Sequence, residues 1–278
     1  MIILCQHLEV MMDVLHVKHL NGNIFEMKYN ERLNNLFLRW IAQSEQNHEP
    51  RESGYGDIIF TRDGLLEKND PLINVEKEWF EAKCRVMFLI KDQPTEYCDD
   101  LRLWLKNIDD ESPNSRRNKE NNRELKSRFM RNLAEILYGL THNAPSLEEV
   151  RQSFEQVKEC FNTVPFAFVE CKKQGGTTSI ADSVLLKYLN TYGALLREEI
   201  EILDPNMIVC TNSHIYGFVQ KIYDGELSTI EGHNSIRVNR KRNKLIFCSY
   251  HPSAWNVNVY DGVMDHYRAF LQLNSKIG

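Results

Sequence analysis

Four stretches of this 278-residue chain gather side chains able to do acid–base or nucleophilic chemistry. Lys91-Asp92-Gln93-Pro94-Thr95-Glu96-Tyr97 brings carboxylates beside a proline. Glu170-Cys171-Lys172-Lys173-Gln174-Gly175-Gly176-Thr177-Thr178-Ser179 brings another carboxylate, a thiol, two lysines and a glycine-rich turn. Thr211-Asn212-Ser213-His214 and Ser249-Tyr250-His251-Pro252-Ser253-Ala254-Trp255 each bring a histidine. Carboxylates and histidines are the usual side chains for proton transfer and for opposing charge that develops in a reaction. Cys171 or Cys210 with His214 would permit a cysteine nucleophile, but no nucleophile motif accompanies them. The seven cysteines include no Cys-x-x-Cys pair and no ligand cluster. Reduced structural thiols are expected, and neither a metal nor an organic cofactor is implied.

Each of the four stretches follows a short apolar run: Arg85-Val-Met-Phe-Leu-Ile90, Phe166-Ala-Phe-Val169, Met207-Ile-Val-Cys210 and Leu245-Ile-Phe-Cys248. Continuous rather than alternating hydrophobicity predicts strands buried on both faces, as in a parallel sheet. Helical stripes separate them: Leu133, Ile136, Leu137 and Leu140; then Leu147, Val150, Phe154 and Val157; then Val263, Tyr267, Phe270 and Leu271. A long helix is predicted from Ser179, with Ser179-x-x-Asp182 as a capping box, to about Ile202 before Asp204-Pro205. Strands alternating with helices give an α/β fold, a three-layer α/β/α sandwich with a central, mostly parallel four-stranded sheet. Active sites of such sheets lie beyond the carboxyl ends of the strands, where these stretches fall. Leu33, Leu36, Phe37, Trp40 and Ile41 predict a helix before them. Residues 1–56 read as a helical N-terminal layer and 57–278 as the α/β catalytic core of one domain, because no Pro/Gly-rich linker separates them.

Composition narrows the classes. Hydrophobic residues make up 42% and charged residues 26%, which excludes wholesale disorder. No apolar run reaches the ~18 residues of a membrane span, and the start lacks a basic, apolar secretion signal. A cytoplasmic location is therefore expected. A net charge of -5 gives no global sign of nucleic-acid binding, so that reading rests on local patches.

Over residues 57–273 the chain resembles the uracil-DNA glycosylase superfamily. His251-Pro252-Ser253 is an intact copy of that family's last motif. Lys91-Asp92-Gln93-Pro94 is a degenerate version of the first, and Val169-Glu170-x-Lys172 resembles the second strand end with the base-reading Asn replaced. The resemblance implies a monofunctional glycosylase, with Asp92 orienting water and opposing the oxocarbenium-like charge and His251 stabilising the departing base. It also implies DNA as partner, base flipping, and catalysis by side chains and water alone. Gln93, Thr95 and Tyr97 fall in the base-reading neighbourhood; Tyr97 and Trp104 are both candidates to stack on a flipped base. Trp255 stands where relatives carry an apolar wedge.

Two departures bear on substrate. Thr95 replaces the Tyr with which the uracil-specific branch blocks carbon 5 of the pyrimidine. Glu170 replaces the Asn, and a carboxylate accepts from the exocyclic amino group of cytosine. A protonated Glu170 could also donate to the ring nitrogen. The pair points to a cytosine bulky at carbon 5, such as hydroxymethylcytosine or its glucosylated form in phage DNA, and hence to a defence role. Pairing of Glu170 with Lys172 or Lys173, plain uracil excision, and a catalytically silent DNA-binding module stay open. DNA contact is expected from Lys172, Lys173, Gly175, Gly176, Ser253 and Trp255, with the Gln174–Ser179 loop opening a helix N-terminus. Two basic clusters add to it: Arg116, Arg117, Lys119, Arg123, Lys126, Arg128 and Arg131, and then Arg237, Arg240, Lys241, Arg242 and Lys244 leading into the His251 strand.

Overall fold

A computed structural model describes residues 29–48, 60–91, 100–106, 119–175 and 180–275. The chain runs α1 (Tyr29–Gln46), β1 (Gly64–Leu65), α2 (Val75–Glu81), β2 (Val86–Ile90), α3 (Lys119–Arg123), α4 (Arg128–Thr141), α5 (Leu147–Gln152), α6 (Phe154–Thr163), β3 (Ala167–Glu170), α7 (Asp182–Leu203), β4 (Met207–Cys210), α8 (Ser213–Ile222), β5 (Ser228–Ile230), β6 (His233–Asn239), β7 (Lys244–Cys248) and α9 (Asp261–Ser275). It is an α/β fold. The four apolar runs become β2, β3, β4 and β7, all mutually parallel, in the order β3-β2-β4-β7.

The expected four-stranded sheet is corrected to a mixed one, of seven strands among the described residues, because β1, β6 and β5 join its edges antiparallel. The physical reason is plain in β6. Its His-Asn-Ser-Ile-Arg-Val-Asn sequence alternates, burying Ile236 and Val238 on one face only, so it contains no continuous apolar run. β1 and β5 are too short to leave a pattern.

Alternation along the central strands divides the core. Val86, Phe88, Ile90, Phe168, Val209 and Phe247 face one side, where Leu133 and Leu137 of α4, Phe161 of α6 and Val263 of α9 pack on them. Met87, Leu89, Val169, Ile208 and Ile246 face the other, covered by Phe37 and Trp40 of α1, Leu189 and Leu196 of α7 and Ile215 of α8. The stripe through Leu147 and Val157 is two helices, not one. Ser146 and Glu149 form a reciprocal capping box at the start of α5, and the chain breaks at Ser153 before α6. α7 begins at Asp182, and its N-cap Ala181 makes no side-chain cap; Ser179 lies outside the described residues. At its far end Asp204 turns into the left-handed region, φ 44°, and Pro205 follows. No described helix is long and apolar enough to cross a membrane.

The carboxyl ends of the parallel strands finish flush. Ile90 stands opposite Glu170, and Cys210 opposite Cys248. The ladder continues a residue further, with Cys171 N–H on the Ile90 carbonyl at 2.8 Å, Thr211 N–H on Leu89 at 3.0 Å and Ser249 N–H on Cys210 at 2.8 Å. The loops that follow therefore leave one edge together.

Behind that edge lies a buried ion cluster. Lys173 Nζ donates to Asp63 Oδ2 at 2.7 Å and to Glu199 Oε1 at 3.0 Å, and all three side chains are fully buried. Burial works against the Lys173 charge, but the two carboxylates raise its pKa. Burial and the Asp63 carboxylate push the Glu199 carboxyl well up, bringing the cluster towards charge balance. The cluster joins the segment before β1, the loop after β3, and α7. Removing the cation would strand two buried carboxylates. Lys173→Met is expected to cost about 3–5 kcal/mol, read from the midpoint of urea unfolding. The exposed Lys77→Met should stay within about 0.5 kcal/mol. Equal midpoints for the two variants would show that the cluster does not hold the fold.

Candidate functional site

His251 stands just past the carboxyl end of β7, and the first turn of α4 holds its loop in place. Ser127 caps that turn by accepting from the Met130 amide at 3.1 Å. From the turn, Asn132 Nδ2 donates to the Pro252 carbonyl at 2.6 Å and the Arg128 guanidinium to the Ala254 carbonyl at 3.3 Å. The Phe129 ring lies against the imidazole, centroids 5.7 Å apart. His251 Nδ1 accepts the Ser253 amide at 3.2 Å, which assigns the ring proton to Nε2. Burial, and then the positive Lys91, lower its pKa below the usual histidine value. The result is a neutral imidazole with an oriented Nε2–H donor at physiological pH.

Glu170 closes β3, fully buried. It lies two residues beyond Phe168 and so on the same face of the sheet. Phe168 packs against Trp104 (4.9 Å) and Phe129 (6.0 Å), the ring that also touches His251. His251 therefore touches the aromatic group built on Phe168, and Glu170 follows Phe168 on the same face of the sheet. The Glu170 amide donates to Asp63 Oδ2 at 2.7 Å, tying it to the buried cluster. Lys173 Nζ is held by Asp63 and Glu199, and Lys172 Nζ donates to the carbonyls of Gln174 and Gly175.

Where β2 and β4 end side by side, Lys91 Nζ meets Asp182 Oδ1 at 2.8 Å, Asn212 Nδ2 donates to the same oxygen at 3.4 Å, and His214 Nε2 lies 3.5 Å from Asp182 Oδ2. The Lys91 hydrogen bond, above all, lowers the Asp182 pKa. The crossing of the chain between β2 and β4 makes this the switch point of the parallel strands, the usual place for a ligand crevice.

Several expected residues are placed elsewhere. Lys173 is not available to DNA, because it is sealed in the ion cluster. Arg240 and Arg242 do not border the site. They lie in the turn that enters the amino end of β7, so the five residues of that strand, on the order of 16 Å, separate them from its carboxyl end. There Arg242 pairs with Glu226 at 2.8 Å and Arg240 donates to Asn274 at 3.4 Å. Trp104 is core, 7% exposed, and offers no open ring face to a base. Ser253 contributes its backbone amide, and Trp255 is 73% exposed with the Arg128 guanidinium 3.6 Å from its ring centre. Burial pushes the Cys171 and Cys210 thiols well up, against a thiolate nucleophile, and His214 faces Asp182. Asp92, Gln93, Thr95, Tyr97 and Gly176 lie outside the described residues.

Sequence reasoning gave no positioning role to Asp63, Phe129, Asn132 or Asp182. Arg128 and Lys91 carried a signal as members of a basic run and of a strand-end motif, and Asp182 only as the partner of Ser179 in a capping box. Among the described residues no three His, Cys, Asp or Glu side chains are grouped to hold a metal ion. No protein-family model and no curated protein sequence matches the chain.

The His251 environment has a direct test by NMR titration. His251 should titrate below 6.5, the ordinary value, and Lys91→Gln should raise it part of the way, since burial is the larger cause. The same depression makes folding linked to pH: the neutral ring contributes stability that is present above 6.5 and is lost as pH falls towards the folded value. An imidazole titrating at or above 6.5 would remove the neutral-donor assignment.

Proposed function

We propose that the protein is a monofunctional DNA glycosylase with a three-layer uracil-DNA glycosylase-like fold, acting on a 5-modified cytosine such as hydroxymethylcytosine or its glucosylated form, and so serving in defence against phage DNA. The reading is carried by one observation: His251, within His-Pro-Ser, is a neutral, backbone-oriented donor on the same face of the carboxyl edge as the buried Glu170. The strand order β3-β2-β4-β7, all parallel, brings the carboxyl ends of the three motif-bearing strands to one edge of the sheet, with β4 between β2 and β7, and supports it further.

In this mechanism Asp92 orients a water towards the anomeric carbon of the deoxyribose. The bond from that carbon to the base nitrogen breaks and its electron pair leaves with the base as an anion; the water oxygen bonds to the carbon, its proton passes to the Asp92 carboxylate and on to solvent, and the released base takes up a proton from solvent. His251 Nε2–H stabilises the negative charge that grows on the departing base, a contribution that strengthens as charge develops. A neutral donor suits this task, because it does not bind anions indiscriminately before bond cleavage. Glu170 accepts from the exocyclic amino group of cytosine, which uracil lacks. The product is an abasic site, and no metal or cofactor takes part.

The test is base release from labelled duplexes containing uracil, cytosine, methylcytosine, hydroxymethylcytosine or glucosylated hydroxymethylcytosine, followed by alkali. Strand cleavage is expected at the modified cytosine, with His251→Ala slower by about 10²–10³-fold and Asp92→Ala also impaired. Glu170→Gln should erode the preference for cytosine. Release of uracil alone would refute the substrate assignment, and intact strands throughout would refute the glycosylase.

A further inference from the structure

A cleft of 660 Å³ opens beside the His251 loop, between α4 and α5. Lys126, Arg128, Arg131 and Arg151 line it, against the single acidic side chain Glu135. Lys126, Arg131 and Arg151 are exposed, and none of them forms an ion pair with any described residue. Elsewhere on this chain of net charge -5 many basic side chains are spent on internal partners: Arg39 with Glu198, Arg85 with Asp204, Arg197 with Glu201, Lys244 with Asp204 and Arg268 with Asp265. A concentration of unspent cations in a concave wall is the arrangement that attracts phosphate.

The cleft is also continuous with the candidate site. Ala254, two residues after Pro252, forms part of its wall, and Arg128 serves three purposes at once. It lines the cleft, donates to the Ala254 carbonyl, and lies 3.6 Å from the ring centre of Trp255, which is 73% exposed. An exposed aromatic ring beside a basic groove is the pairing used to track a nucleic-acid strand, the ring for a base and the cations for the backbone. A cleft of this size lies within the ~300–1,000 Å³ range of small-molecule and cofactor sites.

We infer that this cleft is a phosphate subsite that holds the backbone of the DNA strand flanking the target base, with Arg131 and Arg151 on the phosphates and Trp255 against the neighbouring base. The inference rests on the glycosylase reading only for the identity of the strand's next stop, His251. The same phosphate chemistry could come from a free nucleotide, and the experiment separates the two.

The probe is a fluorescein-labelled duplex with no excisable base, read by anisotropy across a salt series. Wild type is compared with Arg131→Gln/Arg151→Gln, two exposed positions whose change should leave the thermal melt intact. The double variant is expected to bind on the order of tenfold more weakly, and its plot of log affinity against log salt should be shallower by about two units. Trp255→Ala should weaken binding with little change of slope, since a stacked ring releases no counterions. Equal affinity and slope for the double variant and wild type would overturn the inference. So would binding of deoxycytidine monophosphate that the double substitution weakens while duplex binding is left unaffected by it. Base release is measured in parallel: binding through the cleft without release refutes the glycosylase and keeps the subsite, whereas release with no loss of binding in the variant does the reverse.

Discussion

Lys173 carries its charge into a place where water does not reach, and much of the architecture of the site follows from how that charge is met. Asp63 comes from the segment leading into β1, Glu199 from the C-terminal part of α7, and Lys173 from the loop leaving β3. No pair among them is close in sequence. Buried ions tolerate little misplacement, because the cost of desolvation is offset only when geometry and charge balance are both good. The cluster therefore fixes where the β3 loop begins. Asp63 also accepts the Glu170 amide, so the backbone that presents the proposed base-reading carboxylate is tied to the same constraint. The indole of Trp40 and the ring of Phe37 close over the Lys173 ammonium at 5.3 and 5.5 Å, which adds favourable ring–cation contact while excluding solvent.

His251 depends on a different device. Its ring is oriented by a backbone amide two residues on and backed by an aromatic side chain, and its loop carbonyls are held by two side chains of one helical turn. This arrangement makes protonation unfavourable without depending on any acidic neighbour. A carboxylate beside the ring would have raised its pKa and produced a cation; burial with Lys91 nearby does the opposite. Lys91 is itself anchored by Asp182 at the start of α7, so the first residue of that helix, the end of β2 and the imidazole are electrostatically linked.

Charge on this protein is thus organised in three regimes. It is neutralised internally beneath the sheet edge, it depresses a histidine at the edge, and it is left open in the cleft beside Trp255. The overall acidity hides the last of these, since net charge sums over surfaces that a ligand never meets together.

The sequence by itself determined the strands of the parallel centre and the faces of the main helices. Those signals are local: a run such as Met207–Cys210 is apolar in every residue, and α4 repeats its leucines at helical spacing. It also placed His251, because a motif that follows a strand must lie at that strand's end. The outer strands escaped, since β6 buries apolar side chains, Ile236 and Val238, on one face only and β1 and β5 are two and three residues long. Tertiary structure alone decided which charges are buried and which are near the site. Lys172 and Lys173 are neighbours in sequence, yet one reaches loop carbonyls and the other is sealed with Asp63. Arg242 precedes the His251 strand but lies at its far end, because an extended chain carries successive residues away from one another. Arg128 and Asn132, more than a hundred residues away in sequence, hold the His251 loop. Long-range proximity of this kind is set by how helices pack on a sheet, and no pattern within a single segment encodes it.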